Sequence, residues 1–333
     1  MTVRSEATAR RSETAADGRD GSTRSPPGAK FADPYRTATG QLRAVVALAG
    51  LQTLWFNTGT LCNLTCSNCY IESSPSNDAL AYLLPAEAAA FLDEIERDRL
   101  PVQQIGFTGG EPFMNPGMLA MLQDTLGRGF PSLVLTNAMR PMMRHAAALA
   151  ALNATHPGRL TMRVSLDHYG AKLHEAERGA GSFAKTLDGL AWLAAQRFTI
   201  DVAGRAAFGH ETEAELRAGY AALFVQRGIP VDAADPVALK LFPEMDSKAD
   251  VPEITESCWG ILHKSPDSVM CASSRMVVKR RSATAPAVLA CTLLAYDPQF
   301  ELGATLAEAS RPVPLNHPHC ARFCVLGGAA CGR

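Results

Sequence analysis

The 333-residue chain is 47% hydrophobic and 20% charged, a composition typical of a globular protein with a substantial core. Its formal net charge of −1, with no basic run, argues against nucleic-acid or membrane-surface binding. No apolar segment resembles a secretion signal or could span a bilayer, so we expect a cytoplasmic protein. Because the cytoplasm keeps thiols reduced, the nine cysteines indicate metal ligands rather than disulfides.

The predicted elements begin after an N-terminal tail. Residues 1–40 are rich in Ser, Thr, Arg, Gly and Pro, a composition that predicts disorder. Beyond it, short apolar runs alternate with amphipathic stretches, the pattern of repeated βα units. The predicted strands are residues 51–57, 102–108, 132–136, 160–166, 199–208 and 237–242. The predicted helices are residues 85–97, 116–127, 141–152, 182–197 and 211–227.

These units predict an α/β fold. Six βα units fall short of the eight that close a TIM barrel over about 250 residues. We therefore expect a partial (β/α)6 TIM-like barrel over residues 41–245, splayed open on one side with room for a large substrate. Six of the nine cysteines lie between Cys258 and Cys331, where helical periodicity is weak. This change predicts a small cysteine-rich domain over residues 246–333.

Three thiols follow the first predicted strand. They are Cys62, Cys66 and Cys69, at the spacing C-x3-C-x2-C, on a loop at the strand end where open α/β folds place their chemistry. Three thiolates can hold three irons of a [4Fe–4S] cluster and leave the fourth iron open to another ligand. A structural zinc site or part of a disulfide set are the alternatives. Zinc sites usually need a second cysteine pair, and disulfides need an oxidising compartment.

The second predicted strand leads into the turn Gly109-Gly110-Glu111-Pro112. Glycines at a strand end let the backbone approach a ligand closely, and a carboxylate beside them can bind an ammonium group. One βα unit after the cysteine loop, this turn resembles the motif by which radical SAM enzymes hold the methionyl amino group. The resemblance implies that the open iron chelates S-adenosylmethionine (SAM) and that these four residues bind it.

The resemblance implies further contacts at later strand ends. In the radical SAM subgroup with an extra cysteine domain, a polar residue ending strand four and a basic residue after it or on strand five meet the SAM carboxylate and ribose. The matching residues here are Ser165, Arg178 and Arg205. The family usually has an aromatic residue before the third cysteine, whereas this chain has Asn68, followed by Tyr70 after that cysteine. Either Tyr70 packs on the adenine or Asn68 hydrogen-bonds to its edge.

The C-terminal cysteines resemble a twitch or SPASM domain, which carries one or two auxiliary [4Fe–4S] clusters. Cys271 and Cys291 flank a predicted β-hairpin, and three further cysteines follow a Leu-Gly turn. The resemblance implies one auxiliary cluster, held by Cys271, Cys291 and two of the three cysteines Cys320, Cys324 and Cys331.

Other assignments stay open for this region. A zinc site could use His317 and His319, which lie beside Cys320. Cys258 could be an additional ligand or a buried packing residue next to Trp259.

The resemblance therefore implies a radical SAM enzyme, with Cys62, Cys66 and Cys69 as its catalytic cysteines. It would cleave SAM reductively at the cluster to give a 5′-deoxyadenosyl radical, which abstracts hydrogen from a peptide, protein or small-molecule substrate. A reductant such as flavodoxin or ferredoxin is the expected partner. The alternative from another class is a non-catalytic iron–sulfur or zinc protein that acts as an electron carrier or scaffold on the same barrel. The intact Gly-Gly-Glu-Pro turn argues against it, because a scaffold needs no amino-group site.

Overall fold

We describe residues 28–206, 211–243 and 250–328 in a computed structural model of the chain. The strands are β1 (Val45–Val46), β2 (Thr53–Asn57), β3 (Gln104–Thr108), β4 (Ser132–Thr136), β5 (Leu160–Ser165), β6 (Thr199–Arg205), β7 (Leu239–Phe242), β8 (Ser274–Val278), β9 (Ala287–Leu289), β10 (Glu301–Gly303) and β11 (Val313–Pro314). The α-helices are α1 (Pro85–Asp98), α2 (Met118–Gly127), α3 (Arg140–Met143), α4 (Ala146–Thr155), α5 (Ala171–Arg178), α6 (Ser182–Ala195), α7 (Glu213–Arg227) and α8 (Cys258–Leu262). A π-helical segment spans Cys320–Leu326.

Strands β2 to β7 lie side by side in chain order and are all parallel. Their residues are mostly buried, because helices cover one face of the sheet and the barrel interior lies on the other. Thr53 pairs with Gln104 and Asn57 pairs with Thr108, so β2 and β3 end at the same level. This arrangement confirms the predicted α/β class and the six strands of a partial barrel.

The C-terminal region shares this sheet with the barrel. Strand β8 pairs with β2 in parallel on the side away from β3, and β9 and β10 continue the sheet in antiparallel pairing. The nine-stranded order is β10-β9-β8-β2-β3-β4-β5-β6-β7, so the barrel is left open between β10 and β7. The predicted division between residues 41–245 and 246–333 therefore crosses one continuous sheet.

Helix α5 is the main element that the sequence analysis does not predict. It has eight residues between Gly170 at its N-cap and Gly179 at its C-cap. A helix this short gives little periodicity in the 11 to 18 residues over which an amphipathic pattern is read. It lies directly after β5 and carries Glu177 and Arg178 toward the cysteine loop.

Residues 28–40 of the expected disordered tail have a defined place, whereas residues 1–27 lie outside the described residues. The Glu253 carboxylate accepts hydrogen bonds from the backbone N–H groups of Phe31 (2.8 Å) and Ala38 (2.7 Å). It also forms an ion pair with the buried guanidinium of Arg43. This one carboxylate joins the N-terminal segment to the chain that leads into α8.

Candidate active site

The cysteine loop forms one wall of a cavity at the C-terminal ends of the barrel strands. Cys62, Cys66 and Cys69 all line this cavity, which encloses about 1130 Å³ when the part open to solvent is included. The Cys62 N–H donates to the Ser74 carbonyl (3.0 Å), which fixes the start of the loop. The structure thus brings together the three thiols that the sequence indicates.

The two glycines at the end of β3 also line the cavity, and they pack directly against the backbone that leads into Cys62. The Gly110 N–H donates to the Gly59 carbonyl (2.8 Å). A Cβ on Gly110 would lie 2.2 Å from the Leu61 carbonyl oxygen, and Gly109 has a φ of +136°. Neither position can accept a side chain without moving the backbone, which explains the glycine pair in physical terms.

Glu111 lies behind the cavity wall rather than in it. Its buried carboxylate accepts hydrogen bonds from the Thr136 hydroxyl (2.8 Å) and from the Asn137 N–H (2.9 Å), both at the end of β4. Burial raises the pKa of Glu111 to about 7, although these hydrogen bonds act to lower it. Pro112 starts the 3₁₀ turn Pro112–Met114 and is also buried. In this arrangement Glu111 fixes Thr136 and Asn137, which do line the cavity.

The remaining residues that the resemblance indicates all line the same cavity: Tyr70, Ser165, Arg178 and Arg205. Arg178 on α5 forms a two-pronged ion pair with Asp167, through Nε (2.5 Å) and Nη2 (3.0 Å). Such a paired guanidinium has a fixed orientation.

Glu177 has a role that the sequence does not indicate. Its carboxylate accepts hydrogen bonds from the Asn68 N–H (2.8 Å) and from the Asn68 side-chain amide (2.9 Å). Arg205 pairs with the same carboxylate (2.9 Å) and donates to the Asn68 carbonyl (3.0 Å). The two residues therefore hold three polar groups of Asn68. The available sequence signal was an acidic residue beside Arg178, but without α5 nothing placed it near the loop.

A second, smaller cavity lies among the C-terminal cysteines and encloses about 370 Å³ when the part open to solvent is included. Cys271, Cys291, Cys320 and Cys324 line it, together with His319. The cysteines come from the turn before β8, the chain after β9 and the π-helical segment, so the fold gathers thiols from three separate segments.

Other residues considered as C-terminal ligands have different positions. Cys331 lies outside the described residues. The His317 ring packs 4.7 Å from that of His319 but does not line the cavity. Cys258 is half-buried at the start of α8, where the Thr255 N–H donates to its Sγ (3.4 Å). Within the described residues, no three His, Cys, Asp or Glu side chains are placed to hold a single metal ion.

A family profile described as "Radical SAM superfamily" matches residues 56–219, which contain the cysteine loop, the glycine turn, Ser165, Arg178 and Arg205. Residues 56–219 therefore form a radical SAM domain. Members of this superfamily bind a [4Fe–4S] cluster and SAM, and the C-terminal cysteine-rich region is present here in addition.

Two curated relatives match part of this chain. Mycofactocin maturase MftC of Mycobacterium ulcerans (strain Agy99) is 33% identical over 137 residues, covering 41% of this chain and 35% of the relative. The antilisterial bacteriocin subtilosin biosynthesis protein AlbA of Bacillus subtilis (strain 168) is 32% identical over 126 residues, covering 38% and 26%. The matches therefore span about a third or less of these relatives.

Among solved structures, Streptococcus suis SuiB bound to S-adenosylmethionine is similar, with a TM-score of 0.56 and 11% identity over 77% of this chain and 64% of that chain. SuiB bound to the precursor peptide SuiA gives a TM-score of 0.54 at 10% identity, over 78% and 63%. These likenesses show the fold, a partial TIM-like barrel of the radical SAM type. Across the ranges that the structure describes, no helix has the length and apolar character needed to cross a membrane.

The donor set of the radical SAM loop fits an iron–sulfur cluster. Burial raises the pKa of Cys62 to about 12. Burial also raises the pKa of Cys66, although the nearby charge of Arg178 acts to lower it. Because metals bind the thiolate, these thiols need a cationic ligand to lose their protons. A three-thiol wall beside a cavity open to solvent leaves one side of a bound cluster accessible.

Proposed function

We propose that this protein is a radical SAM enzyme in which Cys62, Cys66 and Cys69 hold a [4Fe–4S] cluster and the adjoining cavity holds SAM. The observation that carries this proposal is that the three thiols, the Gly109–Gly110 turn and Arg178 line one cavity. When bound, the cluster and SAM supply the chemistry, a one-electron cleavage of the sulfonium C–S bond that permits hydrogen abstraction from an unactivated carbon. The chain itself supplies binding, orientation and exclusion of water.

Different polar residues of the cavity contact different parts of SAM. Ser165, Arg178 and Arg205 serve the carboxylate and ribose, and the ion pair with Asp167 orients Arg178 before SAM arrives. Tyr70, rather than Asn68, packs on the adenine, because the Asn68 amide already donates to Glu177. A prearranged site lowers the entropy lost on binding.

Part of the cavity lining is apolar and suits a substrate that must be shielded from water. This part contains Leu135, Phe242, Pro243, Leu293 and Phe323. Burial among such side chains protects a reactive intermediate from solvent. The names of the similar maturase and of SuiB with its precursor peptide support a peptide or protein substrate. A small molecule remains the second substrate class.

The C-terminal cavity holds an auxiliary [4Fe–4S] cluster in this proposal, with Cys271, Cys291, Cys320 and Cys324 as ligands. Four thiols around one cavity match the ligand number of such clusters. Leu293 lines both cavities, so the auxiliary cluster would lie close to the SAM cavity. It would relay electrons or anchor the substrate. The reductant is a flavodoxin or ferredoxin, and the compartment is the cytoplasm.

Reductive cleavage of SAM tests the proposal. Protein reconstituted anaerobically with iron and sulfide should release 5′-deoxyadenosine when it is given dithionite and SAM. The triple variant Cys62→Ala, Cys66→Ala, Cys69→Ala should release none, whereas Cys258→Ala, a matched cysteine outside both cavities, should keep the activity. An electron carrier or scaffold would leave SAM intact in every variant. Cleavage of SAM by the triple variant would show that the cysteine loop is not part of the catalytic site.

A further inference from the structure

Three arginine side chains of the described chain are almost completely buried: Arg43, Arg163 and Arg275, each with a relative exposure of 1%. Arg43 pairs with Glu253, and Arg163 pairs with Asp201 at 3.0 Å. Buried charges in proteins are normally paired in this way, because desolvation of a lone charge is costly. Arg275 is different: within residues 28–206, 211–243 and 250–328, no carboxylate forms an ion pair with it.

Four hydrogen bonds hold the Arg275 guanidinium without compensating its charge. Nε donates to the Ala309 carbonyl (2.8 Å), and Nη1 donates to the Cys271 (2.6 Å) and Ser274 (2.8 Å) carbonyls. Nη2 reaches the Arg311 carbonyl at 3.4 Å. All four acceptors are neutral backbone groups. The side chain is therefore held in place, yet a full positive charge stays inside the protein.

Arg275 contacts the C-terminal cavity through the Cys271 carbonyl, and the titratable groups that act on its charge are cysteines of that cavity. Burial lowers the pKa of Arg275 to about 10, and the charges of Cys271 and Cys291 act in the opposite direction. Both cysteines line that cavity, and Arg275 on β8 lies four residues after Cys271 in the sequence. The unpaired cation thus lies beside the thiols proposed to hold the auxiliary cluster.

We infer that Arg275 is the counter-charge of the auxiliary cluster and raises its reduction potential. The inference rests on the auxiliary cluster of the proposed function. A [4Fe–4S] cluster with four thiolate ligands carries net negative charge, and reduction by one electron adds one more. A fixed positive charge nearby stabilises the reduced cluster more than the oxidised one, and net charge and hydrogen bonding are known to set such potentials.

The test measures the potential of the auxiliary cluster alone. The triple variant of the loop cysteines is reconstituted, and its iron content and EPR-monitored redox titration are recorded with Arg275, Arg275→Lys, Arg275→Gln and Arg275→Met. Lys keeps the charge, Gln keeps part of the hydrogen bonding, and Met keeps neither. Arg280→Gln is the matched control, because Arg280 lies just after β8 and already pairs with Glu301.

The reduction potential of the auxiliary cluster should depend on the charge of the side chain at position 275 and not on its hydrogen bonds. Lys should stay near the parent value, Gln and Met should both move to clearly more negative potentials, and the Arg280 control should change little. Equal potentials for Arg275, Gln and Met, or a Lys variant that shifts as far as Gln, would overturn the inference while leaving the cluster in place. A parent protein without iron would overturn the cluster and the inference together. If the neutral variants do not accumulate, thermal unfolding of the Arg275→Lys variant gives the test. Binding of iron should raise the Tm of this variant by as much as it raises the Tm of the parent. A smaller rise would contradict a role of the charge.

Discussion

Glu177 holds Asn68 through both oxygens of its carboxylate, although 109 residues separate the two in sequence. One oxygen accepts from the Asn68 N–H and the other from its side-chain amide. Asn68 lies between the second and third cysteines of the loop. Helix α5 therefore fixes the conformation of the cysteine loop.

Replacing Glu177 by Ala should loosen this loop and weaken SAM binding. Hydrogen bonds to charged groups contribute about 1.5–3 kcal/mol, so the loss of one corresponds to roughly a 10- to 100-fold rise in the SAM dissociation constant. Equilibrium binding to the reconstituted protein measures it. Glu213→Ala removes an exposed ion pair with Arg217 and should change affinity little. Equal affinities in the Glu177 variant and the wild type would mean that the loop needs no such support.

Gly110→Ala should prevent the correct packing of the cysteine loop. The new Cβ would lie 2.2 Å from the Leu61 carbonyl oxygen, so backbone must move, at a cost of about 1–3 kcal/mol or more. Gly127→Ala, at the end of α2 with no atom within 4 Å of a new Cβ, is the control and should leave stability equal or slightly raised. Chemical denaturation of both variants gives the comparison. A Gly110 variant as stable as the control would contradict the close approach.

Glu111 should make the stability of the iron-free protein depend on pH. Its pKa is raised from 4.5 to about 7 by burial, so folding favours the protonated form. The contribution is complete below about pH 4.5 and is lost as pH rises through about 7, a change of ~3 kcal/mol in unfolding free energy. Glu111→Gln should flatten this part of the urea-unfolding pH profile. If the unfolding free energies of the wild type and the variant change equally between pH 4.5 and 7, Glu111 does not cause the pH dependence.

Iron content tests the second cavity. Two clusters of four irons predict about eight irons per wild-type chain, and the triple loop variant should keep about four and stay brown. A colourless loop variant with one equivalent of zinc would exclude the auxiliary cluster, because d¹⁰ zinc gives no visible absorption with thiolates. About twelve irons would indicate two auxiliary clusters, and would also contradict the prediction of one.

The sequence predicts what is local. The six parallel strands, the cysteine loop and the glycine turn each have a pattern within a few residues, and each lies where expected. The start of α2 shows the limit: a helix was predicted from residue 116, but the Asn115 side chain accepts from the Gly117 N–H and donates to the Thr58 carbonyl, so the helix begins at Met118.

The rest depends on contacts between distant segments. The pairing of β8 with β2 joins residues more than two hundred positions apart, and no periodicity reports it. The hold of Glu177 on Asn68 needs α5 and β5 to be in place first. The unpaired charge of Arg275 can be recognised only once its burial and its neighbours are known, because in sequence it is one more arginine on a strand.

The most direct test of the account is whether SAM binds to the cluster on Cys62, Cys66 and Cys69. EPR spectra of the dithionite-reduced protein should be recorded before and after addition of SAM, for the wild type and for the triple loop variant. SAM should change one cluster signal of the wild type, because it ligates the open iron, and should leave the spectrum of the variant unchanged. A wild-type spectrum that does not respond to SAM, or a variant spectrum that does, would show that SAM does not bind at this cluster.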